Sequence, residues 1–214
     1  VLPGEMDTLH HPDAQAFASH FEAAVLSLMD TEGLIIDLRY NEGGRDVDIF
    51  FPGLAHLIAE SEERLVFEKA IRDVDGLGRN TLTELATEHG PILPDEPNLH
   101  DENPIIVLTG PGCQNSCDWL VQLLARFPEF TLIGRDPNGS MMAYGIKART
   151  EPRGGDYAAM YVPAVVLYDV EEQALVHRSR MTGFIEEEVW SAREDVVAGV
   201  DRVIERAIEI IKSN

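Results

Sequence analysis

Two apolar runs in this chain end in glycine turns and then pass into amphipathic segments. The first is Gly33-Leu34-Ile35-Ile36-Asp37-Leu38-Arg39-Tyr40-Asn41-Glu42-Gly43-Gly44. The second is Pro104-Ile105-Ile106-Val107-Leu108-Thr109-Gly110-Pro111-Gly112-Cys113-Gln114-Asn115-Ser116. Branched residues packed into a few consecutive positions, then broken by glycine, predict buried parallel strands that each feed a helix. Strands lying side by side would open both turns at one edge of the sheet.

The rest of the pattern fits the same grammar. Asp13 can cap a helix over 13–30, with Phe17, Phe21, Val25 and Leu28 as its apolar stripe. A second helix is expected over 47–61, its effective start set near Pro52. Residues 65–71 alternate as a strand does. Residues 74–103, broken by glycines and prolines, read as an irregular loop or a lid with one short helical stretch near 81–88. A strand over 105–108 leads to a helix over 117–127, where Leu120, Leu123, Leu124 and Phe127 share a face. Further strands are expected at 130–133 and, paired or bent, at 157–168. Val197, Val200, Val203, Ile204, Ala207, Ile210 and Ile211 predict a closing helix over 194–212. Strands alternating with helices give an α/β fold with a largely parallel sheet, read as one domain over 1–214.

Composition narrows the partners. The 44% hydrophobic fraction of 214 residues is enough for a real core. Seventeen basic against 38 acidic residues leave a net charge of -21, which repels nucleic-acid phosphates and anionic membranes. No apolar stretch approaches the roughly 18 residues of a membrane span, and membrane insertion is not expected. The start, Val1-Leu2-Pro3-Gly4-Glu5, shows no charged leader before an apolar block and no initiator Met. A cytoplasmic location is the default reading, and a trimmed or excised segment is equally compatible. Cys113 and Cys117 are the only cysteines. They lack the second ligand pair of a zinc site, and two buried thiols are expected rather than a disulfide across a helix start. No cofactor and no metal are expected.

The chemistry concentrates at the two junctions. Glycine amides beside a serine at a helix start are the minimum equipment for acyl transfer. The stretch "GLIIDLRYNEGG" resembles the "DLRxNPGG" signature of the C-terminal processing (tail-specific) protease family of serine peptidases, with its tricorn-core and retinoid-binding-protein-like branches. "PIIVLTGPGCQNSCDWLVQLL" is similar to that family's strand and helix around the nucleophile. "FTLIGRDPNGS", "MTGFIEEEV" and "AREDVVAGVDRVIERAIEIIK" follow in the family's order, so the resemblance covers residues 30–212. It implies a crotonase-like (ClpP/crotonase) core and a serine peptidase site acting on polypeptides. Ser116 matches the nucleophile. The amides of Gly43 or Gly44 and of Cys117 match the oxyanion hole.

The proton acceptor departs from the pattern. One branch uses a lysine at a position that here is Ser140, and Lys147 is the nearest lysine downstream. The tricorn-like branch uses an upstream histidine, for which His10, His11 and His20 are the early candidates. Its late glutamate gives way to a segment containing His177, with Glu171 and Glu172 further back. His177 is the candidate base, because histidine commonly serves a serine. Trp119 replaces the glutamate three residues after the nucleophile, Glu42 the signature proline, and Glu186 and Glu187 the late proline and aspartate. Three readings follow: a serine hydrolase or peptidase; a non-proteolytic relative binding a small apolar ligand or reusing the pocket for other carbonyl chemistry; and a catalytic fragment completed by a missing N-terminal portion. The expected substrate is a polypeptide or small carbonyl compound, and a homo-oligomer is compatible with each.

Overall fold

The computed structural model describes residues 12–44, 47–59, 67–74, 80–87, 92–98, 103–139, 145–150, 158–163, 165–169, 174–175 and 185–213. Helix α1 (Pro12–Ser27) leads to strand β1 (Leu34–Asp37). A 3₁₀ turn over Val47–Phe50 runs into α2 (Phe51–Leu54), and β2 (Phe67–Val74) and β3 (Asn80–Thr87) follow. Next come β4 (Ile105–Thr109), α3 (Ser116–Leu124) and β5 (Phe130–Gly134). The later strands are β6 (Gly145–Thr150), β7 (Ala158–Pro163), β8 (Val165–Asp169), β9 (Ala174–Leu175) and β10 (Glu187–Glu188). Helices α4 (Arg193–Val197) and α5 (Arg202–Ser213) close the chain.

The site rests on a four-stranded sheet ordered β1-β4-β5-β10, and every pair in it is parallel. Leu34 lies opposite Ile105 and Asp37 opposite Leu108, so β1 and β4 end level and both turns emerge at the same edge. β4 is buried at all five positions, as a strand covered on both faces must be. Alternation assigns the faces. Leu34, Ile105, Val107, Phe130 and Leu132 pack with α3, with Leu54 of α2 and with Val25 of α1. Ile106, Leu108 and Ile133 point the other way, onto Val203 and Ala207 of α5. The sheet is therefore flanked by helices on both sides. Helix α3 is buried along its whole length, so its first turn is fixed by core packing. Elsewhere β3-β2-β8-β9 form an antiparallel sheet, and β6 pairs antiparallel with β7.

Several elements differ from the sequence reading. Residues 80–87 form β3, not a helical turn, because antiparallel pairing with β2 satisfies their backbone groups over most of that length. Of the two arrangements expected for 157–168 the structure has the pair of strands, β7 pairing with β6 and β8 with β2. The closing helix is two. Gly199, at φ 72°, ends α4 with its amide bonded to the Val196 carbonyl. Asp201 then starts α5 by accepting from the Val203 and Ile204 amides at 3.1 and 3.2 Å. In α1 the buried positions are Ala14, Ala18 and Val25, whereas Phe17, and Leu28 just past the end of the helix, are exposed. The close approach of α1 to α2 is made at Gly53, which packs on Phe21.

Candidate active site

Both turns at the sheet edge are tied to each other. The Gln114 amide donates to the Asn41 carbonyl at 3.1 Å. Gly43 packs directly on the second turn: a β-carbon there would lie 2.5 Å from the Gln114 carbonyl oxygen and 2.7 Å from the Ser116 nitrogen. Its φ of 75° also belongs to the left-handed region, so glycine is required on two counts. Asn115, at φ 59°, makes the sharp bend that puts Ser116 first in α3. Cys113 and Cys117 are joined as a disulfide around this bend, which corrects the expectation of two thiols. Residues 113–115 are not helical, and the bend brings the two Cα atoms to 5.3 Å, within disulfide reach.

Ser116 is 5% exposed. Its hydroxyl accepts from the Gly44 amide at 3.3 Å and donates to Asn115 Oδ1 at 3.3 Å. The hydrogen bonding separates the candidate oxyanion donors. The Gly43 amide is engaged by Asn41 Oδ1 at 2.8 Å, and the Cys117 amide donates to the Gln114 carbonyl at 3.1 Å. The Gly44 amide faces Ser116. The loop after β5 is stitched behind the bend: Asn138 donates from its amide to the Cys113 carbonyl, and the buried Asp118 carboxylate accepts from the Gly139 amide, each at 2.8 Å.

A pocket of about 430 Å³ opens beside the hydroxyl. Among the described residues, Asp13, Ala14, Phe17, Ile49 and Phe50 line it opposite Asn41, Gly43, Ser116 and Cys117. The volume lies in the range of ligand pockets. His177, His10, His11, Ser140, Glu171 and Glu172 lie outside the described residues. Lys147 belongs to β6, where its backbone sits opposite Tyr161. His20 is exposed on α1. Among the described residues, neither a histidine nor a lysine hydrogen-bonds Ser116. His56, passed over in the sequence, is buried and bonds the Pro97 carbonyl through Nδ1 at 2.9 Å, with Nε2 3.5 Å from Glu22.

A second polar cluster sits on the same edge. Arg39, 6% exposed, grips Asp37 with Nε and Nη2 at 2.9 and 2.7 Å, and its Nη1 reaches Asp201 at 2.8 Å. Burial alone would raise the Asp37 pKa. Hydrogen bonds from the Arg39 side chain and backbone, with the guanidinium charge, outweigh it and hold the carboxyl below its ordinary value. For Arg39 the Asp37 hydrogen bond dominates over burial and Asp201 adds to it, so its pKa is raised and the charge persists. The Gly112 backbone packs on the Arg39 carbonyl. The Asp-Leu-Arg part of the signature is thus a clamp between the two turns and α5. Its signal was in the sequence, as an acid and a base two residues apart at a strand end, but its third member, Asp201, is 162 residues away. Among the described residues, no helix is long and apolar enough to cross a membrane, and no group of His, Cys, Asp or Glu is placed to hold a metal ion.

A serine at a buried helix start, facing a glycine amide at the edge of a parallel sheet, is the arrangement of a candidate acyl-transfer enzyme. The chain belongs to peptidase family S41, whose model matches residues 8–149, and this is the family that the motifs at the two junctions resemble. Mature CPAF complexed with lactacystin is similar over 92% of this chain and 48% of its own, at a TM-score of 0.66 and 15% identity. A candidate peptidase from Parabacteroides merdae is similar over 91% and 56%, at a TM-score of 0.63 and 18% identity. A candidate S41 protease from Bacteroides fragilis matches 93% of this chain and 50% of its own, at a TM-score of 0.50 and 15% identity. At these identities the likeness is one of fold. This chain spans about half the length of those structures. No curated protein matches it.

Proposed function

We propose that the chain is the catalytic-core portion of a serine hydrolase acting on polypeptides, with a crotonase-like architecture over 1–214 and Ser116 as nucleophile. The observation that carries this reading is the Gly44 amide, brought 3.3 Å from the Ser116 hydroxyl across 72 residues of sequence, at the mouth of a pocket. In the reaction the hydroxyl oxygen attacks the substrate carbonyl and its proton passes to a base, for which His177 is the candidate. The Gly44 amide then holds the oxyanion, and the first turn of α3 adds its dipole. The Cys117 amide is the second candidate donor, sharing its hydrogen between the Gln114 carbonyl and the oxyanion. The base returns the proton to the leaving amine, and water releases the acyl group from Ser116.

A fluorophosphonate probe tests this reading. It predicts labelling that disappears in Ser116→Ala and slows at least tenfold in His177→Ala. Absence of labelling in the wild type rejects it. A non-proteolytic carbonyl-binding role is the second reading, and the apolar wall formed by Ala14, Phe17, Ile49 and Phe50 favours it. Mass spectrometry of the denatured protein would find a copurified metabolite in that case, and the probe would leave Ser116 untouched.

A further inference from the structure

Asp13 and Phe17 stand four residues apart in α1, hence on one face of the helix and one turn apart, about 5.4 Å along its axis. Both line the pocket beside Ser116. Phe17 meets Phe50 edge to face at a centroid distance of 5.3 Å, which gives the wall an aromatic surface. Asp13 is the one ionisable side chain among the described residues of that lining. Ala14 and Ile49 are buried and supply the aliphatic remainder.

We infer that this pocket takes a basic side chain of the substrate, a lysine or arginine, with its methylene stem along Phe17 and Phe50 and its cationic head at Asp13. Such a side chain is itself divided into an apolar stem and a charged tip, as the wall is. A plain aliphatic or aromatic residue would match the stem region and gain nothing from the carboxylate at its end. An acidic residue would meet repulsion from Asp13 and from a chain whose net charge is -21. A carboxylate offers about four acceptor sites, so it receives a ligand cation beside any partner of its own. Cation–aromatic attraction acts in the same direction. The wall is open to water, so the discrimination is modest: about fivefold for lysine over an uncharged isostere.

This specificity rests on the serine-hydrolase reading, and binding tests it apart from turnover. The full chain carrying Ser116→Ala is titrated by fluorescence anisotropy with unstructured peptides identical except for one residue, scanned as lysine, norleucine or glutamate. The expected order is lysine, then norleucine, then glutamate. The preference for lysine narrows at high salt and is lost on adding Asp13→Asn. It persists with Asp13→Glu, and thermal melts verify that both variants are folded. Norleucine binding as well as lysine, a preference unaffected by Asp13→Asn, or no peptide binding at all overturns the inference. Fluorophosphonate labelling of the wild type reads the hydrolase reaction separately, so the two ideas fail by different signals.

Discussion

Two polar clusters share the edge of the parallel sheet and are built in opposite ways. Around Arg39 the groups are charged and joined by bonds of 2.7–2.9 Å, and the arginine is buried. At Ser116 the bonded partners are neutral, and the hydroxyl is held by two bonds of 3.3 Å. The first has no slack. The second leaves the hydroxyl proposed as nucleophile able to exchange partners as charge develops. Perturbed titration often flags a functional centre, yet here it belongs to the clamp and not to the proposed site beside it. The comparison teaches that the clamp sets where the turns are, while the weaker cluster is where chemistry can happen.

The sharpest way to break this contrast is Ser116→Ala. It should abolish fluorophosphonate labelling while changing unfolding free energy by less than about 1 kcal/mol, because only two long hydrogen bonds are lost. Gly43→Ala comes next. The added carbon meets backbone on the second turn, at a φ unsuited to alanine, so labelling should fall more than tenfold with a stability loss of about 1–3 kcal/mol in urea titration.

Arg39→Met tests the other side. Removing the guanidinium leaves two carboxylates without their counter-charge, at a cost below that of fully buried pairs because both are partly exposed: about 2 kcal/mol. Labelling per folded molecule should fall by about threefold, since the clamp helps hold the two turns although the Gly44–Ser116 contact does not itself include Arg39. The smallest effect is in acid. The folded-state pKa of Asp37 is lowered, so its stabilisation is complete above the unfolded value of about 3.9 and fades as pH falls through the folded one. Wild-type Tm should therefore drop more steeply below about pH 4 than that of Asp37→Asn. Parallel slopes would remove the clamp from the stability account.

The parallel core was legible because its strands are unbroken branched runs and its turns are punctuated by glycine. Ile105–Thr109 is the plainest case. The identity of β3 was not, because Leu82 and Leu85 are spaced as on a helix, and only the strand beside them decides otherwise. The break between α4 and α5 had its signal in Gly199 and Asp201, but the apolar recurrence on either side masked it. At the site, the meeting of Gly44 with Ser116 followed from aligned strand ends. Which glycine amide faces the hydroxyl depends on the side chain of Asn41, a local bond that residue spacing does not encode. The disulfide is not legible because the sequence reads Cys113 and Cys117 as flanking a helix start, while the structure bends the chain at Asn115 first.

That disulfide closes a ring of five residues with Ser116 inside it. Bridges of this kind persist in oxidising surroundings and open to thiols in reducing ones. The same polypeptide handled with and without dithiothreitol is therefore two chemical species, differing at the hinge that carries the hydroxyl. The handling buffer becomes part of the definition of the protein.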